Sequence, residues 1–488
     1  MGAVQMIPES IKRHKPGGTE IRHKNGHYYV YRVEGYYDRE TKKSKSRSLG
    51  CIGQVYEGVG FVPNKKESGP IELVTKEYGA TRVAMALSTD ILDKLRECFP
   101  SDFLRIYVMA ILKLLGNISA KDMDMAYNKS AISILLPEVH LSKNTVPSFL
   151  SGLSMQRGGM VKFMREYAHY SDGGIIFDGS SFVSGARMNP FCEKGYSPGN
   201  IGKTQIRLIY AYDRESHQPI YFMVAPGSTS DKAAFGKALD EIGGKGCTII
   251  LDKGFYSVKN IELMAGMEFI IPLLRNTALI PDELKAFAAY ERVVNHNFAY
   301  HKRIIYYAEV RQEKYGGCKL YAFYDSERRQ YLMENYFRKI QDKDGVVPDE
   351  LMPQVTADTA GFGVSILLTS LDAPAKNIYL DYKARWAIEE MFDAHKNALG
   401  FDMKYEASYN AQEGWAFIEF LSLLIYHKIN GMLIDSDLIK ALNVKDVLFR
   451  ASTITQSKTS GSWKVCNMSK PLKELLGNLT VSVEPLSS

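Results

Sequence analysis

Two aspartates follow short apolar segments that are typical of buried β-strands. Asp178 ends the segment GIIFD, Asp252 ends the segment TIILD, and a glycine follows each aspartate within two residues. Ligands of α/β proteins bind at strand ends, and glycine lets the backbone or a ligand approach closely. One aspartate in such a place is more often a turn or helix-capping residue. Two on neighbouring strands could bind a metal ion, although this pair lacks a third ligand.

A third acid lies in the segment 372–399, where Asp and Pro near the start predict one long helix. On a helix with about 100° per residue, four polar side chains of this segment fall within about 60° of one another. They are Tyr382, Arg385, Glu389 and Lys396. Glu390 points about 100° away from Glu389 and is the poorer candidate. The apolar neighbours would suit a face half-buried against a sheet, but the helix taken alone slightly favours the alternative, a solvated face with ordinary Glu–Lys pairing.

The three acids define the chemistry that these residues could perform. Carboxylates without histidine or cysteine are hard oxygen ligands that suit Mg²⁺, with Mn²⁺ as a substitute. Two such ions can activate a water or a 3′-hydroxyl and stabilise the departing oxygen in phosphoryl transfer. The tyrosine, arginine and lysine of the same helix face would then hold flanking phosphates. Asp178, Asp252 and Glu389 are therefore candidate metal ligands of a phosphoryl-transfer site.

The segments around these residues predict a mixed α/β sheet. Residues 174–273 contain three strands followed by a helix, a strand, a helix and a strand. The stretch 276–372 has further β-type segments around a charged, poorly patterned part, so we expect an all-β insertion. Residues 75–169 have helical spacing of apolar residues. Within them, 141–153 could be the second helix of a helix-turn-helix, although any helical bundle contains such segments.

The net charge of +6 is located in the first 50 residues, which hold eleven Lys and Arg and five acids, while the rest of the chain has 50 of each sign. Two strands near 28–33 and 46–54 predict a β-hairpin. Its cations are Arg39, Lys42, Lys43, Lys45 and Arg47. Tyrosines interleaved with cations suit the phosphate backbone of DNA. The alternatives are a solvated basic arm and tyrosines that simply pack one face of the hairpin.

Composition excludes several classes of protein. The 488 residues are 45% apolar and 24% charged, an ordinary globular balance that excludes a disordered or fibrous chain. The six cysteines form no short pairs, which argues against a disulfide framework or a zinc site and fits a reducing compartment. The start of the chain lacks the apolar core of a secretory signal, and the longest apolar stretch, 417–426, is too short to span a bilayer. We expect a cytoplasmic protein that does not contact a membrane.

The four polar residues of the predicted helix, Tyr382, Arg385, Glu389 and Lys396, match all four places of the pattern Y-x2-R-x3-E-x6-K. With it, the sequence resembles the bacterial insertion-sequence transposases of the DDE type, in the subclass marked by a Tyr-Arg-Glu-Lys signature. Further matching segments are IFDGSS, QIRLIYAYD, HQPIYFMVAPG, IILDKGFYS, GFGVSILLTS and, in the hairpin, LGCIGQ. The resemblance covers most of the chain and is weakest over 326–360 and after 436.

The resemblance implies a ribonuclease-H-like catalytic core with a β insertion between the second Asp and the Glu. It implies that Asp178, Asp252 and Glu389 bind two Mg²⁺ ions and that Tyr382, Arg385 and Lys396 contact DNA near the cleaved end. It also implies cut-and-paste movement of the protein's own element, from its terminal inverted repeats into target DNA. Relatives act as homodimers assembled on paired DNA ends, and a bacterial protein of this kind would associate with the nucleoid when bound to DNA.

The expected organisation is an α/β protein with six regions. They are a basic β-hairpin region for DNA binding (1–70), a helical DNA-binding region (71–170), the first part of the core (171–275), a β-rich insertion (276–372), the second part of the core with the signature helix (373–435) and a C-terminal region (436–488).

Three features depart from the pattern of the relatives. Asp393 stands where we would expect a basic residue. The tryptophans, at 386, 415 and 463, lie outside the insertion in which relatives that resolve DNA hairpins place one. In the segment APGSTSDK (225–232), a Ser-Thr pair replaces a frequent Gly-Asn.

Two alternatives share part of this pattern. One is a domesticated, catalytically silent relative that acts as a sequence-specific DNA-binding protein, although none of the three acids is missing. The other is a ribonuclease-H-like nuclease without transposition, which would need the acids but not the full set of phosphate-binding residues.

Overall fold

The computed structural model describes residues 7–38, 41–64, 74–168, 174–186, 188–195, 202–243, 246–274, 277, 280, 296–312, 317–341, 347–401, 403–404, 408–459 and 462–485. The chain divides into two compact units. The first is Met1–Val74 with Thr459–Gly461, and the second is Thr75–Lys458 with Ser462–Ser488.

The first unit is a four-stranded antiparallel sheet with a short helix. Its elements are α1 (Glu9–Lys12), β1 (Thr19–Lys24), β2 (His27–Asp38), β3 (Lys43–Tyr56) and β4 (Gly60–Pro63). The strands are ordered β1-β2-β3-β4, and a small core of Ile11, Ile21, Val30 and Val55 lies at one end. The predicted hairpin is confirmed as β2 and β3. Beyond Val33 it extends past this core as a two-stranded ribbon that is exposed on both faces.

The second unit contains the helices and strands that surround the candidate site. Its helices are α2 (Gly79–Ala86), α3 (Thr89–Cys98), α4 (Phe103–Leu115), α5 (Met123–Lys129), α6 (Ile132–Leu135), α7 (Thr145–Ser154), α8 (Arg157–Tyr167), α9 (Asp231–Ile242), α10 (Val258–Leu263), α11 (Ser326–Ile340), α12 (Met352–Thr359), α13 (Ala375–Lys383), α14 (Trp386–Asp393), α15 (Tyr409–Asp435), α16 (Val444–Ser452) and α17 (Lys470–Asn478). Its strands are β5 (Val74–Glu77), β6 (Ile175–Ser184), β7 (Glu193–Lys194), β8 (Thr204–Asp213), β9 (Gln218–Pro226), β10 (Ile249–Leu251), β11 (Phe269–Leu273), β12 (Asn297–Tyr300), β13 (Arg303–Gln312), β14 (Cys318–Asp325), β15 (Val364–Thr369), β16 (Met403–Lys404), β17 (Thr455–Thr459) and β18 (Ser462–Cys466).

Eleven strands of the described residues form one large mixed sheet. Its order is β12-β13-β14-β15-β11-β10-β6-β8-β7, with β9 paired to β8 and β16 paired to β6. The strands β6, β10 and β11 run parallel to one another, whereas the β15 side and the β8 side are antiparallel. The expectation of a mixed α/β fold is confirmed. A separate three-stranded sheet joins β5, β17 and β18.

The prediction of an all-β insertion is wrong. The strands β12 to β15 continue the large sheet beyond β11, and between β14 and β15 the chain forms helices α11 and α12. The side chain of Asp325 caps α11 by accepting a hydrogen bond from the Arg328 amide. None of the residues of α11 is buried. Its apolar residues Leu332, Met333, Tyr336, Phe337 and Ile340 recur at helical spacing and are half-buried, a pattern that the many charged residues of the segment obscure.

The long helix α15 lies in the core of the second unit. It is long and apolar enough to cross a membrane by length and composition, but 67% of its most apolar window is buried inside the protein. The hydroxyl of Ser422 donates to the carbonyl of Ala110 on α4 at 2.9 Å. The rings of Phe417 and Phe222 stack with centroids 6.1 Å apart, which joins the helix to β9. This packing buries α15 as a core helix between the helical region and the sheet.

A close crossing of α15 and α7 generates a stability prediction. A Cβ atom at Gly414 would lie 2.2 Å from the carbonyl oxygen of Leu150, whereas one at Gly431 on the same helix would meet nothing within 4 Å. We expect Gly414→Ala to destabilise the fold by about 1–3 kcal/mol through overpacking. The control Gly431→Ala should instead stabilise it by roughly 0.5–1 kcal/mol, since helical glycine costs backbone entropy. Thermal unfolding measures both effects. Equal melting temperatures for the two variants would contradict the close contact between α15 and α7 at Gly414.

Candidate active site

The register of two parallel strands places Asp178 and Asp252 side by side. Leu251 of β10 pairs with Phe177 of β6, and each aspartate is the next residue along the chain. Both carboxylates therefore lie at the same level of the sheet. Phe177 and Leu251 are fully buried, and burial of such a side chain contributes roughly 1.5–3 kcal/mol. The two predicted aspartates are thus brought together by strands that belong to the core.

The sheet opens directly after these aspartates. β10 ends at Leu251, and β16 pairs with β6 only at Val183 and Ser184. In the strand pairings of the described residues, positions 178–182 of β6 have a partner on the β8 side only. This opening lies at the carboxyl end of β10, which is where α/β sheets bind ligands.

The single long helix predicted for 372–399 is not continuous. It ends as α13 at Lys383, resumes as α14 at Trp386 and passes into a π-helical turn at Ala394–Ala398. Between the two helices, Ala384 and Arg385 have ψ angles of −15° and −25°, which is close to 3₁₀ geometry. A π-turn adds one residue to a helical turn and is often found at functional sites. Both irregularities change where the four signature side chains point.

Burial of one face of α14 fixes this helix on the sheet. Ile388 and Met391 are fully buried and Phe392 is nearly so. The Phe392 ring packs edge-to-face on Tyr210 of β8, with centroids 5.6 Å apart. Glu390 and Asp393 are exposed, and Asp393 accepts a hydrogen bond from Asn397 at 2.6 Å. The helix therefore presents Glu389, not Glu390, toward the opening in the sheet.

The guanidinium of Arg385 is the point at which the three acids meet. Its Nη2 donates to Oε1 of Glu389 at 2.5 Å and its Nη1 donates to Oδ2 of Asp178 at 3.4 Å. Its Nε lies 3.8 Å from Oδ1 of Asp252. Arginine can contact several acids at once because its planar group carries donors on several edges. Three acids from separate segments of the chain are thus gathered around one cation.

Asp178 is the most buried of the three acids. Burial, and after it the charge of Asp252, raise the pKa of its carboxyl to about 7, against the opposing effects of Arg385 and the backbone amide of Gly179. The Gly179 amide donates to Oδ1 of Asp178 at 2.7 Å. The site is therefore a partly desolvated place with an excess of negative charge, which a bound cation would relieve.

The residue types at this place fit a divalent metal ion, but the present spacing fits a guanidinium. Three carboxylates are hard oxygen donors of the kind that Mg²⁺ prefers. Within the part of the chain that the structure describes, no three His, Cys, Asp or Glu side chains lie close enough to hold a metal ion. Arg385 supplies the positive charge that the carboxylates share. An ion bound by all three acids would require Arg385 to take another partner.

Lys396 and Tyr382 lie near this cluster. From the π-turn, Nζ of Lys396 donates to Oγ of Ser180 at 2.6 Å, two residues beyond Asp178 and so on the same face of β6. Burial raises the pKa of Tyr382, and the charge of Arg385 opposes this effect. The structure therefore brings Arg385 and Glu389 to the aspartates and places Lys396 one step further along the strand.

The predicted cations of the hairpin lie in the first unit. Four of them, Lys42, Lys43, Lys45 and Arg47, are exposed, and Arg39 lies outside the described residues. The strand alternation puts Lys43, Lys45 and Arg47 on one face. On that face Lys45 pairs with Asp38, and Arg47 pairs with Glu34 at 2.9 Å. The hairpin's basic face is therefore partly neutralised by its own acids.

The two tyrosines near the tip of the hairpin are exposed side chains. Tyr36 and Tyr37 are 48% and 61% exposed, and they point to opposite faces because they are adjacent in one strand. The alternative that the tyrosines pack one face of the hairpin is therefore wrong for this pair, whereas Tyr28 does pack against the small core of the first unit.

A fourth acid near the site, Asp231, is not indicated by the sequence pattern. Asp231 is the first residue of α9, and its Oδ1 accepts a hydrogen bond from Nε of Arg207 at 2.6 Å. The charge of Asp231 raises the pKa of Asp178, and the charge of Asp252 raises the pKa of Asp231. An acid in the first helical turn is common for reasons of helix stability alone, so the residue type gave no reason to single it out.

Comparison with known proteins identifies a family for the chain. A family model described as a transposase DDE domain matches residues 169–425, a range that contains all three acids. No curated protein matches the chain. A cryo-EM structure of a piggyBac transposase synaptic complex with hairpin DNA is similar over 77% of this chain and 79% of its own chain, with 12% sequence identity and a TM-score of 0.43.

Removal of the shared guanidinium tests the charge balance of the site. In the presence of EDTA, we expect Arg385→Gln to lower stability by on the order of 1–3 kcal/mol, because partly buried charges lose their partner. Mg²⁺ or Mn²⁺ should then raise the melting temperature of this variant more than that of the wild type. The control Arg214→Gln breaks the 2.5 Å ion pair with Asp381 on α13 and should respond to metal as the wild type does. Equal responses of all three proteins would contradict this description of the site.

Proposed function

The chain belongs to the transposase DDE domain family, and from this premise we propose that it is a DNA transposase active in cut-and-paste transposition. In this proposal it cleaves DNA at the ends of its own mobile element and joins those ends to target DNA. The reaction depends on Mg²⁺, with Mn²⁺ as a substitute. We further assign the chain to the bacterial subclass with the Tyr-Arg-Glu-Lys signature, and its large sheet to a ribonuclease-H-like core.

The observation that carries the proposal is the convergence of three acids on one arginine at an opening in the sheet. Asp178 comes from β6, Asp252 follows β10 and Glu389 belongs to α14. A partly desolvated cluster of like charges is costly for stability, and such clusters are found preferentially at functional sites. Family membership and this cluster together support a site for phosphoryl transfer.

The three acids are the residues that would hold the metal ions. Two Mg²⁺ ions bound there would supply an activated water or 3′-hydroxyl and stabilisation of the departing oxygen. The carboxylate of Asp178 is oriented by the sheet and by the Gly179 amide, and Asp252 follows the adjacent strand. Glu389 is on a separately packed helix and is the most exposed of the three acids. It therefore closes the site from the side of the incoming DNA.

Arg385 has two roles in this proposal. Without DNA it holds the three carboxylates together, and with DNA it binds the phosphate beside the scissile bond. A phosphate accepts the same two-pronged contact from arginine as a carboxylate does, so the exchange of partners conserves the hydrogen bonds of the guanidinium. Lys396, now on Ser180, and Tyr382 contact neighbouring phosphates. The positions of these side chains around the opening in β6 support this assignment.

The hairpin is proposed to bind double-stranded DNA at the terminal inverted repeats, through Arg39, Lys42, Lys43, Lys45 and Arg47. Phosphates would displace Asp38 and Glu34 from their partners on its basic face. The helical region 71–170 is a second candidate for recognition of the ends. We propose that two copies of the chain assemble on paired DNA ends, as the family resemblance implies.

Substitution of the helix acid tests the catalytic assignment. We expect Glu389→Ala to abolish cleavage of DNA taken from the flanks of the protein's own coding locus, while DNA binding changes less than about twofold. The adjacent exposed acid provides the control, and Glu390→Ala should cleave as the wild type does. The measurement maps strand breaks to the nucleotide in Mg²⁺ and in Mn²⁺.

Three other outcomes would each change the assignment. Binding of the end DNA by the wild type without any breaks would favour the catalytically silent DNA-binding relative. Breaks without strand joining would favour a nuclease that does not transpose. Equal loss of cleavage and binding in Glu389→Ala would contradict its role as a metal ligand.

The basic hairpin is tested by salt dependence. Replacement of Lys42, Lys43, Lys45 and Arg47 by Ala should reduce the slope of log K against log salt by about 0.9 for each phosphate that the variant no longer neutralises. Replacement of four exposed lysines of the second unit, Lys440, Lys464, Lys470 and Lys473, removes the same charge and should leave the slope nearly unchanged. Fluorescence anisotropy between about 50 and 200 mM salt measures both. Equal slopes for the two variants would contradict a specific role of the hairpin.

A further inference from the structure

A fourth carboxylate, that of Asp231, lies against the residues that follow both site aspartates. A Cβ atom at Gly179, directly after Asp178, would lie 2.2 Å from Oδ1 of Asp231. A Cβ atom at Gly254, two residues after Asp252, would lie 2.8 Å from Oδ2 of the same carboxylate. The Asp231 carboxylate is therefore wedged between the two backbone segments, and both glycines are needed for the fit.

Arg207 fixes this carboxylate from the neighbouring strand. It extends from β8, and its guanidinium binds Oδ1 of Asp231 through two of its nitrogens. The same group donates to the hydroxyl of Ser181 at 3.1 Å and to the carbonyl of Gly179 at 3.2 Å. Arg207 thus joins α9 to the segment of β6 that carries Asp178. The pair therefore connects α9, β6 and β8 beside the site.

Two simpler explanations account for less of this arrangement. An acid at the start of a helix stabilises the helix, but this role needs no buried arginine and no glycine contacts on two other elements. A fourth metal ligand would need a carboxylate oxygen directed at the other acids. Both oxygens of Asp231 instead face the glycine backbones, and Oδ1 is held by Arg207. The contacts are those of a group that spaces and orients other residues.

We infer that Asp231 and Arg207 form a positioning pair, which sets the distance and orientation between the segments that carry Asp178 and Asp252. The inference rests on the proposed function of those two acids. Neither residue of the pair touches the DNA in this account. Its loss should therefore slow the chemical step and weaken metal binding while leaving DNA affinity unchanged.

The same helix provides a matched structural control. Glu241 near the other end of α9 pairs with Arg157 at 2.5 Å, and its side chain is 16% exposed, against 14% for Asp231. Glu241→Gln and Asp231→Asn each remove one charge from an equally buried ion pair and keep the shape of the side chain. A merely structural role of Asp231 predicts that the two variants behave alike.

The experiment compares four readouts in the full-length protein: the melting temperature, the affinity for end DNA, the cleavage rate at saturating DNA and Mn²⁺ affinity by electron paramagnetic resonance. We expect Asp231→Asn to slow cleavage by about 10–100-fold, as loss of a residue that orients metal ligands does, and to weaken Mn²⁺ binding by a similar factor. DNA affinity should stay within about twofold of the wild type. Glu241→Gln should change the melting temperature as much as Asp231→Asn does. Unlike Asp231→Asn, it should neither slow cleavage nor weaken Mn²⁺ binding.

Variants of the arginine provide a second check that a folding defect would not mimic. Arg207→Lys keeps the charge and should retain more activity than Arg207→Gln. The double variant Asp231→Asn with Arg207→Gln should be no slower than the worse single variant, because the two residues act as one unit. Additive effects on the cleavage rate would overturn the inference.

The failures of this inference and of the proposed function can be distinguished. Wild-type protein that cleaves while Asp231→Asn cleaves equally fast would overturn the inference alone, as would an equal decrease of activity in Asp231→Asn and Glu241→Gln. Wild-type protein that does not cleave would overturn the proposed function. Mn²⁺ binding still tests the pair in that case, because an affinity unchanged by Asp231→Asn would overturn the inference.

Discussion

One arginine holds together three acids that would otherwise repel one another, and the geometry of the candidate site depends on this contact. Without a cation between them, Asp178, Asp252 and Glu389 could not remain close in a partly desolvated place, because like charges that lose water are strongly disfavoured. Arg385 satisfies all three with a single planar group. The family to which the chain belongs explains why such a costly arrangement is present: the acids are proposed to serve phosphoryl transfer, and the arginine is proposed to move onto DNA.

Two sets of interactions in the fold hold the residues of this contact in place. The parallel register of β6 and β10 sets the two aspartates side by side, and the interruption between β10 and β16 leaves room beside β6 for side chains of the helix. Around this opening, apolar packing fixes α14 on the sheet through Ile388, Met391 and Phe392. A polar pair, Asp231 and Arg207, lies behind the aspartates. Strands of the core thus supply one half of the site, while a helix with two irregular turns supplies the half that is proposed to face DNA.

Much of the candidate site could be predicted from the sequence because it follows local rules. Asp178 and Asp252 end buried apolar segments, and parallel strands bring such ends together. Arg385 and Glu389 are four residues apart, which places them on one side of a helical segment despite the turn between α13 and α14. The rest depends on tertiary structure. Neither the turn at Arg385 nor the π-turn that contains Lys396 has a Gly or Pro that would indicate it in the sequence. The helical spacing of the half-buried apolar residues in α11 is obscured by the charged residues around them, and the role of Asp231 is visible only where three elements meet.

The most direct test of the account is a crystal structure of the protein bound to a pre-cleaved DNA end with Mn²⁺, recorded at the manganese absorption edge. The account predicts anomalous density between Asp178, Asp252 and Glu389, with the guanidinium of Arg385 on a DNA phosphate. A structure with the DNA end bound, no manganese among the three carboxylates and Arg385 still bridging them would contradict it.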